Sequence, residues 1–172
     1  MTDGDSRAEM AVSRYRGHIQ SYCLRRLPVS TAGDAAAEVM SIVWRRRDAL
    51  PDEPDTLPWM YGVARKVVSG FRRSERRWRA RAERAAQTAI FDTDPVETGA
   101  LQLEEERQVL VALSRLRDSD QELLRLTAWE GLGNREIARL LGLTPAAVDT
   151  RLSRARRRLA DQFNAIDSGG RR

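Results

Sequence analysis

A run of polar and basic side chains between positions 150 and 158 is the part of the sequence best suited to binding a polyanion. The apolar residues Val148, Leu152, Ala155 and Leu159 recur at spacings of four, three and four, which predicts a helix with one face toward a core. Guanidinium groups bind phosphate and guanine, and hydroxyl groups bind base edges. The opposite face therefore predicts DNA contacts by Thr150, Arg151, Ser153, Arg154, Arg157 and Arg158.

The segment before this helix predicts how the basic face is positioned. An apolar stripe over 137–141 indicates a short helix, which Gly142 interrupts. Thr144 is a good N-cap, and Pro145 suits the first turn of the next helix. Two helices joined by a short glycine-containing turn, the second one polar and basic, predict a helix-turn-helix that enters a DNA major groove. The alternative is a helical hairpin whose basic face is only solvated.

A second basic region, residues 59–84, begins with aromatic side chains and continues with cations. Trp59 and Tyr61 come first, and Lys66 and a series of arginines follow. Aromatic rings stack on unpaired bases while cations follow the phosphate backbone, so this order favours separated DNA strands. Part of the region is also predicted to be core, because four apolar residues are spaced by four: Trp59, Val63, Val67 and Phe71.

The composition narrows the classes of function. The chain has 172 residues and a formal net charge of +5, and Lys66 is its only lysine among 30 basic residues. Cys23 and His18 are each the only residue of their type, which excludes an internal disulfide and a cysteine-based zinc site. No glycine-rich phosphate loop and no paired acids in an apolar setting are found, so neither an enzyme nor a cofactor is predicted. The absence of a long apolar run predicts a cytoplasmic protein without membrane insertion.

Helical periodicity organises the first half of the chain. A first helix is predicted over 7–27, a turn over 29–33 and a second helix over 34–48. The second helix is expected to direct four residues toward a core: Val39, Met40, Val43 and Trp44. A proline-rich and acid-rich stretch over 50–58 predicts a loop, and a third helix starts near Trp59. These elements predict one compact unit over 7–84.

The second half predicts a separate unit. Residues 85–104 contain the acidic stretch FDTDPVETG and are expected to form a linker. Four helices, the last two forming the helix-turn-helix, are predicted over 105–163, and a disordered tail over 164–172. The sequence thus predicts an all-α protein with two small helical domains joined by a flexible linker.

The two DNA-facing regions together resemble a family. From about Tyr15 to Phe163 the chain is similar to the extracytoplasmic-function sigma factors of bacterial RNA polymerase. DAAAEVMSIVWRR, residues 34–46, resembles the family's polymerase-docking helix, and residues 57–77 resemble its promoter-melting and −10-reading segment. The stretch from Ala112 to Leu159 is close to the family's −35-reading domain throughout.

The resemblance implies roles for individual residues and partners for the chain. The polymerase clamp helices would meet Asp34, Glu38 and Ser41. The loop 50–56 would capture a flipped non-template base, and the full −10 set is Leu50, Pro51, Asp52, Glu53, Trp59, Tyr61, Lys66, Arg72, Arg73, Arg76 and Arg77. Thr150, Ser153 and Arg154 would face −35 bases, whereas Arg151, Arg157 and Arg158 would hold phosphates. The implied partners are core RNA polymerase, promoter DNA and, as in many relatives, an anti-sigma factor.

Two positions depart from the family pattern, and two other functions compete with it. Lys66 stands where asparagine is common, and Asp149 stands where a basic residue is frequent, so the bases read there are expected to differ. A one-component helix-turn-helix regulator acting without polymerase would need a ligand pocket or dimer interface in the first unit. A DNA-modifying enzyme would need a nucleophile with a carboxylate or histidine cluster, which the sequence lacks.

Overall fold

The computed structural model describes residues 3–85 and 104–170. Within these ranges every regular element is helical, which confirms the all-α prediction. The chain divides into two compact units, residues 1–97 and 98–172. The predicted linker over 85–104 falls outside the described residues, except that Ala85 ends one helix and Glu104 begins the next.

The first unit packs three helices around one core. They are α1 (Asp3–Leu24), α2 (Val29–Arg45) and α3 (Thr56–Ala85), with a short 3-10 turn at Arg47–Ala49. Each helix packs against the other two. The core is built from fully buried side chains of all three helices, among them Ile19, Tyr22, Val39, Val43 and Met60.

The helix boundaries of the first unit differ from the predicted ones. The second helix begins at Val29, where a turn over 29–33 was predicted, because the Pro28 carbonyl accepts hydrogen bonds from the Thr31 and Ala32 amides. The third helix begins at Thr56 rather than near Trp59. Pro58 is tolerated there because the first-turn amides of a helix have no intrahelical acceptor.

Trp44 was predicted to face the core, and this prediction is wrong. Its side chain is 45% exposed, while Ala35, Val39 and Val43 form the buried stripe of α2. Successive residues in a helix are about 100° apart, so Trp44 is turned well away from the stripe that contains Val43.

The second unit packs three helices against one long helix. These are α4 (Glu104–Ser114), α5 (Asp118–Ala128) and α6 (Asn134–Leu141), and each contacts α7 (Pro145–Gly170). The core includes Leu126, Ile137 and Val148, all fully buried. The predicted tail over 164–172 differs from the structure, because α7 continues to Gly170.

Candidate nucleic-acid interface

The turn between α6 and α7 is built by local hydrogen bonds. Gly142 adopts the left-handed conformation with φ +67°, and the Leu143 amide donates to the Ala138 carbonyl at 2.9 Å. Thr144 caps α7, its Oγ1 accepting from the Ala147 amide at 3.1 Å. These contacts fix the direction in which α7 leaves the turn, as the helix-turn-helix prediction requires.

The outward face of α7 carries most of the predicted −35 contacts. Val148, Leu152 and Ala155 are buried at 0–3% exposure, which places the polar residues between them outside the core. The exposed members are Thr150, Arg151, Ser153, Arg154 and Arg157. Thr150 donates its hydroxyl proton to the Ala146 carbonyl at 3.0 Å, so it offers an oncoming base mainly an acceptor oxygen.

Asp149 lies at the junction of the two helices. Its Oδ1 accepts from Asn134 Nδ2 at 3.3 Å and so connects the start of α7 to the start of α6. The carboxylate therefore has an intramolecular role at a position where the family often has a basic residue. It remains exposed and adds a negative charge beside the basic face.

Arg158 does not belong to the open basic face. Its Nε and Nη2 donate to the two carboxylate oxygens of Asp120 at 2.8 and 3.0 Å. The Asp120 side chain is only 7% exposed, and it lies on α5. The guanidinium therefore holds α7 against α5, a structural role that the prediction of a phosphate ligand did not include.

The predicted polymerase-binding residues share an exposed face of α2. Asp34, Glu38 and Ser41 are all exposed, and Glu38 Oε1 accepts from Arg45 Nη2 at 2.9 Å. Trp44 is exposed on the same helix, so an apolar contact point accompanies the acidic ones. Sequence reasoning missed this feature because it assigned Trp44 to the core.

The predicted −10 residues of α3 separate into exposed and buried groups. The exposed basic residues are Lys66, Arg73, Arg76 and Arg77. Trp59 is half-buried, whereas Tyr61 is 2% exposed and packs on Tyr22 with ring centroids 5.4 Å apart. Tyr61 is thus a core residue and cannot stack on a base in this structure, which corrects its assignment.

Arg72 also has a structural role. Its Nε and Nη2 both donate to the Arg26 carbonyl, at 3.2 and 3.1 Å, and so tie α3 to the end of α1. The guanidinium thus has an intramolecular partner, whereas the sequence predicted a contact in the −10 set.

The loop between the 3-10 turn and α3, residues 50–55, is held against α1. Leu50 is 5% exposed and anchors the loop in the core. Its side chain therefore packs in the core, which corrects its predicted place in the −10 set. Pro51 is half-buried, while Asp52 and Glu53 are exposed. Arg7 and Tyr15 of α1 hydrogen-bond to the loop, a pair of contacts that sequence reasoning missed.

The described residues contain neither a metal-binding cluster nor a membrane-spanning helix. No group of three or more His, Cys, Asp or Glu side chains there is arranged to bind a metal ion. In the same part of the chain, no helix has the length and apolar character needed to cross a membrane.

Comparison with known proteins identifies the second unit. Residues 106–159 match the family model described as "Sigma-70, region 4". The chain is also 36% identical over 131 residues to "Probable RNA polymerase sigma factor RfaY" of Xanthomonas campestris pv. campestris. This match covers 74% of the chain but only 33% of that protein, so the chain spans about a third of its relative's length.

Two solved structures share the fold. The first is the sigma factor RpoE in complex with the anti-sigma factor NepR from Bartonella quintana, with a TM-score of 0.66 and 18% identity over 91% of this chain and 96% of that one. The second is CnrH in complex with the cytosolic domain of CnrY, with a TM-score of 0.63 and 21% identity over 95% and 99% of the two chains. The second unit is therefore a sigma-70 region 4 domain, and over most of its length the chain is similar in sequence and in fold to sigma factors of bacterial RNA polymerase.

Proposed function

We propose that the chain is a dissociable specificity subunit that binds core RNA polymerase and directs initiation at promoters with defined −35 and −10 elements. The observation that carries this proposal is the helix-turn-helix of the second unit, whose α7 buries Val148 and Leu152 and exposes Ser153 and Arg154. A recognition helix of this kind reads base edges in the major groove. The similarity to sigma factors supplies the partner, because sigma factors act on core polymerase.

The two domains have different roles in this proposal. Residues 105–163 act as the −35-reading domain, using Thr150, Ser153 and Arg154 on bases and Arg151 and Arg157 on phosphates. Residues 7–84 act as the polymerase-docking and −10-melting domain. The exposed acidic face with Asp34 and Glu38 supports docking to basic polymerase helices.

The −10 element is proposed to meet the loop 50–55 and the exposed cations of α3. Extruding a base costs a few kcal/mol of lost stacking, so a shaped loop can read sequence while the duplex opens. We expect the four exposed cations Lys66, Arg73, Arg76 and Arg77 to follow the separated strand. Trp59, unlike Tyr61, is partly accessible and is the aromatic residue expected to stack on a base.

The protein contributes no catalytic residue in this proposal, since RNA synthesis belongs to the core enzyme. Its place of action is the cytoplasm, where that enzyme works. An anti-sigma partner is proposed because both solved proteins of the same fold are bound to a partner. RpoE is in complex with the anti-sigma factor NepR, and CnrH is in complex with the cytosolic domain of CnrY. Such a partner would act by covering the polymerase-facing surfaces.

A binding experiment with and without core polymerase tests the proposal. Two small DNA surfaces in separate units gain effective concentration only when a scaffold fixes their spacing. We expect weak binding of the free chain to duplex promoter DNA and much tighter binding with core enzyme present. With core enzyme present, Arg154→Ala should weaken binding to the promoter, whereas the control Arg115→Ala, which removes a charge from an exposed position after α4, should not.

The competing regulator makes the opposite prediction. A one-component repressor or activator would bind its operator with the same affinity whether or not core polymerase is added. Equal affinity in the two conditions would therefore refute the sigma-factor proposal and support the regulator.

A further inference from the structure

The loop 50–55 is held in shape by hydrogen bonds within its own segment and by the burial of Leu50. Thr56 Oγ1 donates to the Pro51 carbonyl at 2.8 Å, and the Asp55 amide donates to the Asp52 carbonyl at 2.9 Å. Leu50 anchors the start of the loop, with 5% of its surface exposed. These contacts hold both ends of the loop and fold it into one turn.

Three side chains of α1 then hold this turn from one side. Arg7 Nη2 donates to the Leu50 carbonyl at 2.5 Å and contacts Asp52 Oδ1 at 2.8 Å. Tyr15 donates its hydroxyl proton to Glu53 Oε1 at 2.5 Å, and Arg14 Nη1 lies 3.7 Å from the same oxygen. Arg7 and Arg14 are about two helical turns apart and Tyr15 directly follows Arg14, so all three reach the loop from one side of α1.

The ion pairs that Arg7 and Arg14 form with the loop add little to the stability of the fold. The side chains of Asp52 and Glu53 are 87% and 50% exposed, and ion pairs between such exposed groups contribute little to stability. Tyr15, by contrast, is 7% exposed, and its hydrogen bond to the carboxylate raises the pKa of its phenol above the ordinary value. A buried donor thus fixes the direction of an exposed carboxylate on the loop.

The same contacts adjust the charge that the loop presents. Asp52, Glu53 and Asp55 place three acids on a segment proposed to approach DNA. Arg7 and Arg14 offset two of these charges at close range. A base-reading loop needs both a fixed shape and a tolerable charge toward phosphate, because a loosely held site loses discrimination between ligands.

We propose that Arg7, Arg14 and Tyr15 are positioning residues for −10 recognition: they hold the loop 50–55 in the shape and charge state that discriminates the captured base. This inference rests on the proposed function, in which the loop receives that base. It assigns to α1, a helix with no residue in the predicted DNA interface, control over sequence selectivity at the −10 element.

The test uses the full chain with core polymerase on promoters that differ by single bases in the −10 element. Tyr15→Phe removes only the hydroxyl, and Arg7→Ala removes the charge and the hydrogen bond to the loop. We expect either change to reduce the preferred-to-disfavoured base ratio at one or two −10 positions by about three- to tenfold, since the net contribution of one typical hydrogen bond corresponds to a factor of about that size. Discrimination at −35 and affinity for core polymerase are expected to stay within twofold of the unmodified chain.

Two controls separate positioning from general damage. Arg16→Ala removes the same charge from an exposed position of α1 and should leave base selectivity unchanged. Glu53→Gln combined with Tyr15→Phe should lose no more selectivity than the stronger single change, because residues that act through one contact are not additive.

The outcomes are distinguishable. Unchanged −10 selectivity in both Tyr15→Phe and Arg7→Ala would overturn the inference while leaving the proposed function intact. An equal loss on every promoter, together with a lower melting temperature, would also overturn it, because that pattern indicates a structural role only. Absence of promoter-specific transcription by the unmodified chain with core enzyme would overturn the proposed function itself, and the inference with it.

Discussion

Replacing Arg158 by alanine should destabilise the second unit rather than weaken a phosphate contact. In the structure the guanidinium joins α7 to the Asp120 carboxylate of α5 through two hydrogen bonds of 2.8 and 3.0 Å. Removing it leaves a carboxylate whose side chain is only 7% exposed. Arg157, the preceding residue, is exposed and supplies a matched control, because Arg157→Ala removes the same charge from the same helix.

The expected loss lies between two limits. Breaking a fully buried ion pair costs about 3–5 kcal/mol, whereas an exposed pair contributes about 0–1 kcal/mol. The Arg158 side chain is 38% exposed, and Arg117 Nε remains 3.8 Å from Asp120 after the change. We therefore expect Arg158→Ala to lower the free energy of unfolding of the second unit by about 2 kcal/mol, and Arg157→Ala by less than about 0.5 kcal/mol.

Hydrogen exchange of the full chain measures this loss unit by unit. Amides of α5 and α7 that exchange through opening of the whole unit should exchange about 30-fold faster in Arg158→Ala, the factor that corresponds to about 2 kcal/mol. Amides of α1 and α2 provide an internal reference, since they belong to the other unit. In DNA binding, Arg157→Ala should lower the salt slope by about one unit, as expected for loss of a phosphate contact.

Two results would refute this reasoning. If α5 and α7 exchange at the unmodified rate in Arg158→Ala, the ion pair does not contribute to stability. If Arg158→Ala lowers the salt slope as Arg157→Ala does, the guanidinium binds phosphate and the pair with Asp120 is incidental.

Three further predictions address the recognition helix, the turn before it and the buried thiol. Arg154→Ala should reduce discrimination at one or two −35 base pairs by about 1–3 kcal/mol while Arg115→Ala does not, as measured by binding of the polymerase-bound chain to −35 variants; a uniform loss across sequences would instead make Arg154 a phosphate ligand. Gly142→Ala should destabilise the second unit by about 1–2 kcal/mol, because φ is +67° at this position, and an unchanged melting profile would contradict that strain. Burial raises the pKa of the Cys23 thiol to about 11 despite the nearby Arg26, so native protein should resist thiol reagents at pH 8, and rapid labelling at that pH would contradict this. The stability that the protonated thiol contributes is complete below its ordinary pKa of 9.0 and is lost as pH rises toward 11, which a melting temperature unchanged between pH 9 and 11 would contradict.

Helical periodicity predicted the second unit well because its core stripe is unambiguous. Val148, Leu152 and Ala155 are buried as their spacing requires. Gly142 and Thr144 mark the turn, because glycine favours the left-handed conformation and threonine favours the N-cap position. The region 4 match over 106–159 covers the same segment. Here local sequence preferences and tertiary packing agree.

The buried residues of the first unit were predicted less well, because apolar residues lie on more than one face of α3 and the sequence alone does not decide which face is buried. The four-residue spacing that begins at Trp59 suggested one stripe, but the buried residues are Met60, Tyr61, Ala64 and Val68, with only Val63 shared. Tyr61 therefore turns inward onto Tyr22, and Trp59 is left half-buried. A shift of one residue turns a helix face by about 100°, which is enough to exchange a base-stacking residue for a core residue.

The remaining differences come from contacts between distant parts of the chain. Arg72 meets the Arg26 carbonyl across 46 positions, and Arg158 meets Asp120 across 38. An arginine in a basic helix has the same local sequence whether it faces phosphate or an internal acceptor. The hydrogen bonds of Arg7 and Tyr15 to the loop were missed for the same reason, because Leu50 and Glu53, the residues that accept them, are 43 and 38 positions away.

Transcription from a library of random promoters, with core polymerase and the purified chain, tests most directly whether this protein selects promoters. The predicted result is a set of transcripts that appears only when both components are present and whose templates share two sequence blocks at a constant spacing, one for each DNA-facing unit. Arg154→Ala should relax the upstream block, and Tyr15→Phe should relax the downstream one. The same transcripts from core polymerase alone, or binding to DNA without any selected start site, would contradict a sigma-factor function.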